Sequence, residues 1–403
     1  SMVAFGIGPC LCRHGAAQLN IELVTRPKIN PIGYIMHPLE GLKVVELSRI
    51  LAGPWIGQSL ADLGADVTKV ESPNGDDTRK WGPPFIERDG DKTAAYYYAA
   101  NRGKNCVVAD FSQPEGRDTI VDLVREADVL IENFKVGGLA KYGLDYESLS
   151  AINPRLVYCS ITGFGQTGPY AERAGYDFLI QGMSGLMSIT GEPDGQPQKV
   201  GVAITDIVTG LYGTIGILAA IEQRHRTGKG QHIDMSLLDC ATAALANQTM
   251  NYLATGKSPE RLGNQHPNIA PYQVLPVSDG HIILAVGNDR QFRSFCHTIE
   301  QEALADLPIF ATNQARVENR DALTPILESA LADWSSANLL EALEAAKVPA
   351  GPINTVGQAL DDPQIAHRKM RIAPEGIDGL RGPWVFSDAE LSMDRTAPVL
   401  KKN

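Results

Sequence analysis

Short apolar runs alternate with amphipathic segments along the first half of the chain. The apolar runs occupy residues 42–47, 66–71, 106–110, 129–133 and 155–160. Their length and their content of valine, leucine and isoleucine predict buried β-strands. The segments between them, such as the one ending at Gly64 and residues 114–126, predict helices. Strands that alternate with helices pair into a parallel sheet, so the pattern predicts a doubly wound, Rossmann-like α/β domain.

A long helix ends the alternating region, and the pattern changes after residue 226. Residues 205–226 predict one long helix whose glycines at positions 210, 213 and 216 favour close packing on another backbone. Residues 272–277 and 281–286 flank a Ser-Asp-Gly turn and predict a β-hairpin. Residues 234–255 and most of 291–347 predict helices. The hairpin and the helices therefore differ from the alternating strands and helices of the first half.

Composition narrows the function classes. The chain has 403 residues, 43% of them hydrophobic and 21% charged, which is ordinary for a globular protein with two or three domains. A net charge of −11 argues against a nucleic-acid or anionic-membrane partner. We find no apolar stretch approaching the roughly 18 residues that span a bilayer. The six cysteines have no C-x-x-C spacing, which favours reduced thiols in a cytoplasmic protein.

The first 35 residues are predicted to be an extension outside the fold. Ser1-Met2 is typical of an expression remnant, and Met36 stands directly before the first predicted strand. We therefore expect residues 1–35 to be a tag or a mis-assigned start, with Met36 as the natural start.

Asp177 is the most informative single residue. It follows Gly175-Tyr176 and precedes the apolar run Phe178-Leu179-Ile180. Burying an unpaired carboxylate is costly, so this position needs a structural or a chemical reason. Helix capping is the structural reason, because aspartate accepts hydrogen bonds from the free amides at a helix start.

The surroundings of Asp177 favour the chemical reason. A predicted strand opens into a glycine-rich loop upstream, at residues 153–169, and further glycine-containing segments follow at residues 185–191, 201–206 and 209–213. In this order they closely resemble the class III CoA-transferases, the CaiB–BaiF family. The resemblance covers residues 38–398, which is nearly the whole chain.

The resemblance implies a fold, an organisation and a reaction. It implies an interlocked homodimer of chains that each combine a large parallel-sheet domain, built from N- and C-terminal parts, with a smaller α+β domain. The implied ranges are 36–205 for the large CoA-binding domain, 206–230 for a linker helix, 231–330 for the small domain and 331–403 for the return to the large domain. Asp177 would attack an acyl-CoA thioester and carry the acyl group, then CoA, through anhydride and thioester intermediates. No metal and no tightly bound cofactor is expected, and CoA enters as a substrate.

The resemblance also implies contacts to CoA, whose phosphates favour cations and free amides. The candidate residues are Arg79, Asn101, Arg102, Lys104, Asn133, Phe134 and Lys141. Residues 76–84 resemble the branch that acts on dicarboxylates, with succinyl-CoA as donor and a glutarate-like acceptor, and there Arg79 would bind a distal carboxylate or a phosphate. Backbone amides of residues 163–166 are candidates for binding the oxyanion. A relative carries a glutamine that holds the intermediate where this chain has Leu51.

Three alternatives remain open at this level. An α-methylacyl-CoA racemase of the same fold needs two bases, commonly a histidine and an aspartate, but Tyr176 stands where racemases usually have the histidine. A nicotinamide dehydrogenase would place Glu71 on a ribose, but the first loop lacks the G-x-G-x-x-G fingerprint. A non-catalytic CoA-binding scaffold would form no covalent adduct on Asp177.

Overall fold

The computed structural model describes residues 36–400, so the predicted extension at residues 1–35 lies outside the described residues. The strands are β1 (Lys43–Glu46), β2 (Asp66–Glu71), β3 (Phe85–Arg88), β4 (Asp91–Ala94), β5 (Asn105–Val108), β6 (Val129–Glu132), β7 (Val157–Thr162), β8 (His232–Ser236), β9 (Tyr272–Val277), β10 (Gly280–Ala285), β11 (Ala350–Pro352), β12 (Arg371–Ile372) and β13 (Gly379–Leu380). The helices are α1 (Ala52–Asp62), α2 (Ala95–Tyr98), α3 (Pro114–Glu126), α4 (Tyr146–Ile152), α5 (Asp177–Met183), α6 (Ile204–Thr227), α7 (Leu237–Ala243), α8 (Asn247–Thr255), α9 (Asp289–Thr298), α10 (Asn313–Glu318), α11 (Arg320–Leu331), α12 (Ser336–Ala345), α13 (Val356–Leu360) and α14 (Pro363–His367).

A six-stranded sheet forms the large core. Its strand order is β5-β2-β1-β6-β7-β8, and every neighbouring pair is parallel. Helices cover both faces: α1 and α6 lie on one, and α3 and α4 lie on the other. The chain leaves β1 toward one edge of the sheet and later returns through β6 toward the other. Such a reversal opens a crevice at the carboxyl ends of β1 and β6, where α/β sheets bind ligands.

Helix α6 packs tightly on α1. A Cβ added at Gly210 would lie 3.0 Å from the Trp55 Cβ and 3.1 Å from the Ala52 oxygen, so only glycine allows this approach. Contrary to the prediction that no apolar stretch is long enough to span a bilayer, α6 is sufficient for this in length and composition. The sheet and α1 bury one side of this helix, and the other side carries exposed apolar residues such as Ile215.

The smaller unit is built on the antiparallel sheet β11-β10-β9 with α9 to α12 packed against it. Its core runs from Leu275 to Val348, so it extends past the predicted boundary at residue 330. Two other boundaries also need correction. Strand β8 was assigned to a small-domain helix but pairs in parallel with β7, and α6 is a packed core element of the large domain rather than a linker.

The C-terminal segment returns to the large domain, as predicted, but only after the small sheet is complete. The Ser392 amide donates to the Asp62 carbonyl (2.8 Å), and the Gly103 amide donates to the Thr396 carbonyl (3.3 Å). Because Asp62 ends α1 and Gly103 precedes β5, the two ends of the chain build one domain.

Candidate active site

A cavity of about 510 Å³ lies at the carboxyl ends of β1, β6 and β7. The loop from β1 to α1, the turn after β6 and residues 171–177 form its walls, and Asp177, Asp206 and Leu237 also line it. The position is the crevice that the strand order creates. Of the candidate residues selected from the sequence, Asp177, Asn133, Phe134 and Lys141 line this one cavity.

Asp177 is the first residue of α5, and its carboxylate accepts hydrogen bonds from Thr205, Asp206 and Gln181. Oδ1 accepts from the Thr205 amide (2.8 Å), the Thr205 hydroxyl (2.5 Å) and, more distantly, the Asp206 amide (3.4 Å). Oδ2 accepts from Nε2 of Gln181 (2.7 Å). Thr205 and Gln181 are almost fully buried, which fixes the carboxylate against the protein.

Asp177 therefore does accept hydrogen bonds from the start of a helix, but that helix is α6 and not α5, which the sequence predicted. Asp177 does not cap its own helix; it supplies the carboxylate at the N-terminus of α6, whose N-cap residue Ala203 has no side-chain acceptor. The amides and the dipole of a helix N-terminus favour negative charge there. Asp177 is only partly buried, so the group that α6 holds also faces the cavity.

Asn133 and Phe134 shape the opposite wall. The Asn133 side chain accepts from the Arg49 amide (2.9 Å) and donates to the Arg49 carbonyl (2.7 Å), so it tethers the loop between β1 and α1. The Phe134 ring packs edge-on against Phe111 at 5.4 Å. Glu132 accepts from the Phe134 amide (2.8 Å), and burial raises the pKa of the Glu132 carboxyl to about 7.

Cations surround the mouth of the cavity. Lys141, predicted from the sequence, is joined there by Arg49, Lys135 and Arg173. These three cations were not predicted from the sequence, although Arg49 and Lys135 adjoin the motifs that carry the family resemblance. Arg173 lies over the Tyr170 and Phe164 rings at 4.5 and 5.3 Å, an arrangement that orients the guanidinium.

Four predicted CoA contacts do not line this cavity: Arg79, Asn101, Arg102 and Lys104 are each 6% exposed or less. Their polar atoms are engaged inside the protein. Arg79 pairs with Glu71 (2.7 Å) and stacks on Tyr97, and Arg102 pairs with Asp62. A phosphate would have to displace these buried partners, at a large desolvation cost. The interpretation of all four as direct CoA contacts is therefore corrected: they support the domain from within.

Lys104 belongs to a buried ion cluster that also contains Glu46, Lys69 and Asp76. Lys69 donates to Glu46 Oε1 (2.9 Å) and lies 3.1 Å from Asp76, while Lys104 lies 2.8 Å from Glu46 Oε2. All four side chains are shielded from solvent. The cluster holds two carboxylates and two ammonium groups, so its charges balance.

This ion cluster holds the loop that forms one wall of the cavity. Lys69 donates to the Ser48 carbonyl (2.8 Å), Asp76 accepts from the Ile50 amide (3.2 Å), and Lys104 donates to the Pro54 carbonyl (2.9 Å). Ile50 has a φ of +74°, which is strained for a β-branched residue and persists only when neighbours enforce it. Leu51, in the position of the relative's glutamine, follows and lines the cavity with an apolar side chain.

Two of the backbone amides after β7 that were proposed to bind the oxyanion already donate hydrogen bonds to side chains of the protein. The Gly165 amide donates to the Thr162 hydroxyl (2.9 Å), and the Gln166 amide donates to Asp234 (2.9 Å). Of the segment 163–166, Gly163 is the residue that lines the cavity.

Among the described residues, the cavity has neither the histidine base of the racemase alternative nor a metal site. No histidine stands among the described residues that line the cavity, and Tyr176 occupies the position that the racemase alternative gives to a base. Within residues 36–400, no group of three or more histidines, cysteines or acidic residues is placed to hold a metal ion.

Asp206, which was not among the candidates from the sequence, lies beside Asp177. Burial, followed by the charge of Asp177, raises the pKa of the Asp206 carboxyl to about 7.

Comparison with known proteins matches this architecture. The family model described as CoA-transferase family III matches residues 39–403. A succinate–glutarate CoA-transferase from Agrobacterium fabrum is 56% identical over 90% of this chain and 93% of its own length. A human succinyl-CoA:glutarate CoA-transferase is 41% identical over 91% of this chain and 84% of its own. A crystal structure of a CAIB/BAIF family protein from Brucella suis covers 91% of this chain and 97% of its own, with 62% identity and a TM-score of 0.83.

The family match spans the parallel sheet, the Asp177 cavity and the C-terminal return, and the identities hold over nearly the full length of each relative. This protein is a member of CoA-transferase family III, the CaiB/BaiF family, and an enzyme of the CoA-transferase class.

Proposed function

We propose that this enzyme transfers CoA from succinyl-CoA to glutarate or a closely related dicarboxylate. The observation that carries the proposal is the Asp177 carboxylate, fixed by Gln181 and Thr205 at the wall of a cation-rimmed cavity. The names of the Agrobacterium and human relatives support this pair of substrates. Succinyl-CoA carries a free carboxylate and the phosphate charges of CoA, and glutarate is a dianion, so both substrates also suit a cavity lined by several cations.

The reaction follows from one carboxylate and one thiol. An Asp177 oxygen attacks the thioester carbonyl, the carbon–sulfur bond breaks, and CoA leaves as thiolate, which produces an aspartyl–succinyl anhydride. The thiolate attacks the aspartyl carbonyl and releases succinate. Glutarate then attacks the aspartyl carbonyl of this thioester, the carbon–sulfur bond breaks, and CoA thiolate leaves an aspartyl–glutaryl anhydride. The thiolate attacks the glutaryl carbonyl of the anhydride, which releases glutaryl-CoA and restores the Asp177 carboxylate. Oδ2 of Asp177 accepts a single hydrogen bond, from Gln181, so it keeps a second lone pair free for attack, while Oδ1 stays held by Thr205.

We assign the phosphates of CoA to the cations at the mouth, Arg49, Lys135, Lys141 and Arg173, with Asn133 and Phe134 beside the nucleotide or the pantetheine arm. Exposure of these cations and their convergence on one cavity support the assignment. The unpaired, mostly buried cysteines within the described residues suit a reducing compartment, so we place the reaction in the cytoplasm.

Covalent trapping tests the proposal. The enzyme is incubated with succinyl-CoA and glutarate, and glutaryl-CoA is measured by mass spectrometry. Hydroxylamine added during turnover should convert residue 177, and no other carboxyl group, to a hydroxamate. Asp177→Asn should abolish both signals, whereas Asp239→Asn, at an exposed aspartate in the first turn of α7, should leave both in place. Full exchange activity in Asp177→Asn would refute the mechanism.

We further propose that the enzyme is a homodimer whose chains cover each other's apolar helices. Phe178, Ile215 and Leu253 are between 59% and 65% exposed on α5, α6 and α8. Light scattering should give twice the chain mass. The pair Ile215→Asp and Leu253→Asp should produce inactive monomers, while Val356→Asp, at a 79% exposed apolar residue elsewhere, should leave the mass unchanged.

A further inference from the structure

Two carboxyl groups stand side by side in the cavity, and only one has a place in the reaction described above. Asp206 is the third residue of α6, and its amide reaches Asp177 Oδ1 at 3.4 Å. Both side chains line the same cavity. Two adjacent carboxylates do not ionise together at low cost, so their surroundings decide which one keeps the proton.

The surroundings differ sharply. Donors from Thr205 and Gln181 contact both oxygens of Asp177. Among the described residues no hydrogen bond or ion pair reaches the Asp206 carboxyl. The free amides at the start of α6, which would otherwise stabilise a charged Asp206, are occupied by Asp177. The proton of the pair therefore resides on Asp206.

The other elements packed around Asp206 do not reverse this assignment. Asp177 on α5 is the charged group that acts on it, and that action raises the pKa of Asp206 further. The Tyr96 phenol on α2 senses both carboxylates and is itself uncharged near neutral pH, because burial and then Asp206 raise its pKa. From α1, Trp55 and Ala52 pack on α6 and carry no titratable group.

We propose that Asp206 is a protonated acid of the active site that donates a hydrogen bond to the acyl oxygen when Asp177 attacks the thioester carbon. This inference rests on the proposed function. In the attack, a bond forms between Asp177 and the acyl carbon, the carbonyl π electrons move to the acyl oxygen, and the Asp206 O–H stabilises that oxyanion without losing its proton. The carbonyl re-forms as the carbon–sulfur bond breaks and thiolate leaves. A charged Asp206 would instead repel the oxyanion and the free carboxylates of both substrates.

The experiment measures the pH dependence of kcat and KM for succinyl-CoA in wild type, Asp206→Asn and Asp206→Ala. In wild type, kcat/KM should fall as pH rises through about 7, because the donor is lost there. Asp206→Asn keeps a neutral donor, so it should lose less than about tenfold in kcat and lack this alkaline fall. Asp206→Ala has no donor and should lose about 100-fold in kcat, with KM changed less than about threefold.

Three results would overturn the inference: an alkaline fall that is the same in Asp206→Asn as in wild type, equal activity in Asp206→Ala and Asp206→Asn, or equal inactivity of both variants. Circular dichroism establishes that each variant is folded, and the comparison of wild type with Asp206→Asn stands even if Asp206→Ala does not fold. Hydroxylamine trapping on Asp177 in wild type separates the two proposals. If trapping succeeds and the pH profile fails, only the role of Asp206 is refuted.

Discussion

The buried ion cluster of Glu46, Lys69, Asp76 and Lys104 makes a quantitative prediction about stability. Glu46→Gln leaves Lys104 without a carboxylate, while Lys69 keeps Asp76 at 3.1 Å. Breaking one side of a fully buried pair typically costs about 3–5 kcal/mol, because an uncompensated charge stays in the core. Lys104→Met should cost a similar amount, since it also leaves the carbonyl of Pro54 and the amide oxygen of Asn101 without their donor.

The double variant Glu46→Gln with Lys104→Met decides whether charge balance is the cause. It removes one charge of each sign, so the cluster returns to neutrality. We expect it to be no less stable than either single variant, which corresponds to a coupling free energy of at least about 3 kcal/mol, the upper end for residues in contact. Guanidinium unfolding followed by circular dichroism, at one fixed protein concentration, gives the free energy of unfolding.

A surface pair provides the matched control. Lys43 and Glu126 lie 2.6 Å apart but are 52% and 75% exposed, so the cycle Lys43→Met with Glu126→Gln should show no measurable coupling. Additive effects of Glu46→Gln and Lys104→Met would refute the charge-balance argument. A salt-dependent rise of tenfold or more in the KM for succinyl-CoA in folded Lys104→Met would instead restore Lys104 as a phosphate contact.

Three further predictions follow from single features. Burial raises the pKa of the Glu132 carboxyl to about 7, above its ordinary value, so its contribution to stability is complete below about pH 4.5 and is lost as pH rises to 7. The free energy of unfolding should fall by about 3 kcal/mol over this range. Unfolding measured from pH 5 to 8 should show this fall in the wild type and not in Glu132→Gln. Gly210→Ala should lower the free energy of unfolding by about 1–3 kcal/mol, because the new Cβ would collide with α1. Gly216→Ala is the control: its new Cβ would have its nearest contact at 3.7 Å, so the free energy of unfolding should rise slightly. Equal effects of the two variants would contradict the packing argument. Arg173→Ala should raise the KM for succinyl-CoA about tenfold and weaken its salt dependence, and a KM equal to that of the exposed control Lys257→Ala would remove Arg173 from the CoA site.

Local pattern was sufficient for most elements. The predicted strand at residues 66–71 and the helix at residues 114–126 coincide with β2 and α3, and the hairpin after residue 272 is β9 and β10. These segments carry their own periodicity and turn residues, so no distant contact is needed to assign them. Strand β8 was not predicted, because it pairs with β7, from which α6 separates it along the chain. The sequence of β8 by itself is equally compatible with the start of a helix.

Motif resemblance located the candidate nucleophile but not the environment of the cations. Asp177, Asn133, Phe134 and Lys141 meet in one cavity, as the motif order suggested. Lys104 was assigned to a phosphate because a cation in a loop is usually available to ligands. Its actual partner Glu46 is 58 residues away in sequence, and only the parallel pairing of strands places the two together.

The sequence by itself therefore determined the alternating α/β plan and the hairpin after residue 272, because each is encoded in contiguous residues, and the order of its motifs selected Asp177 as the candidate nucleophile. Only the tertiary structure decided which charges are buried with each other and which face the cavity. Paired charges such as Lys104 and Glu46, and the neighbouring carboxyls Asp177 and Asp206, come from separate segments. Their protonation and availability depend on desolvation and on neighbours that no local pattern specifies.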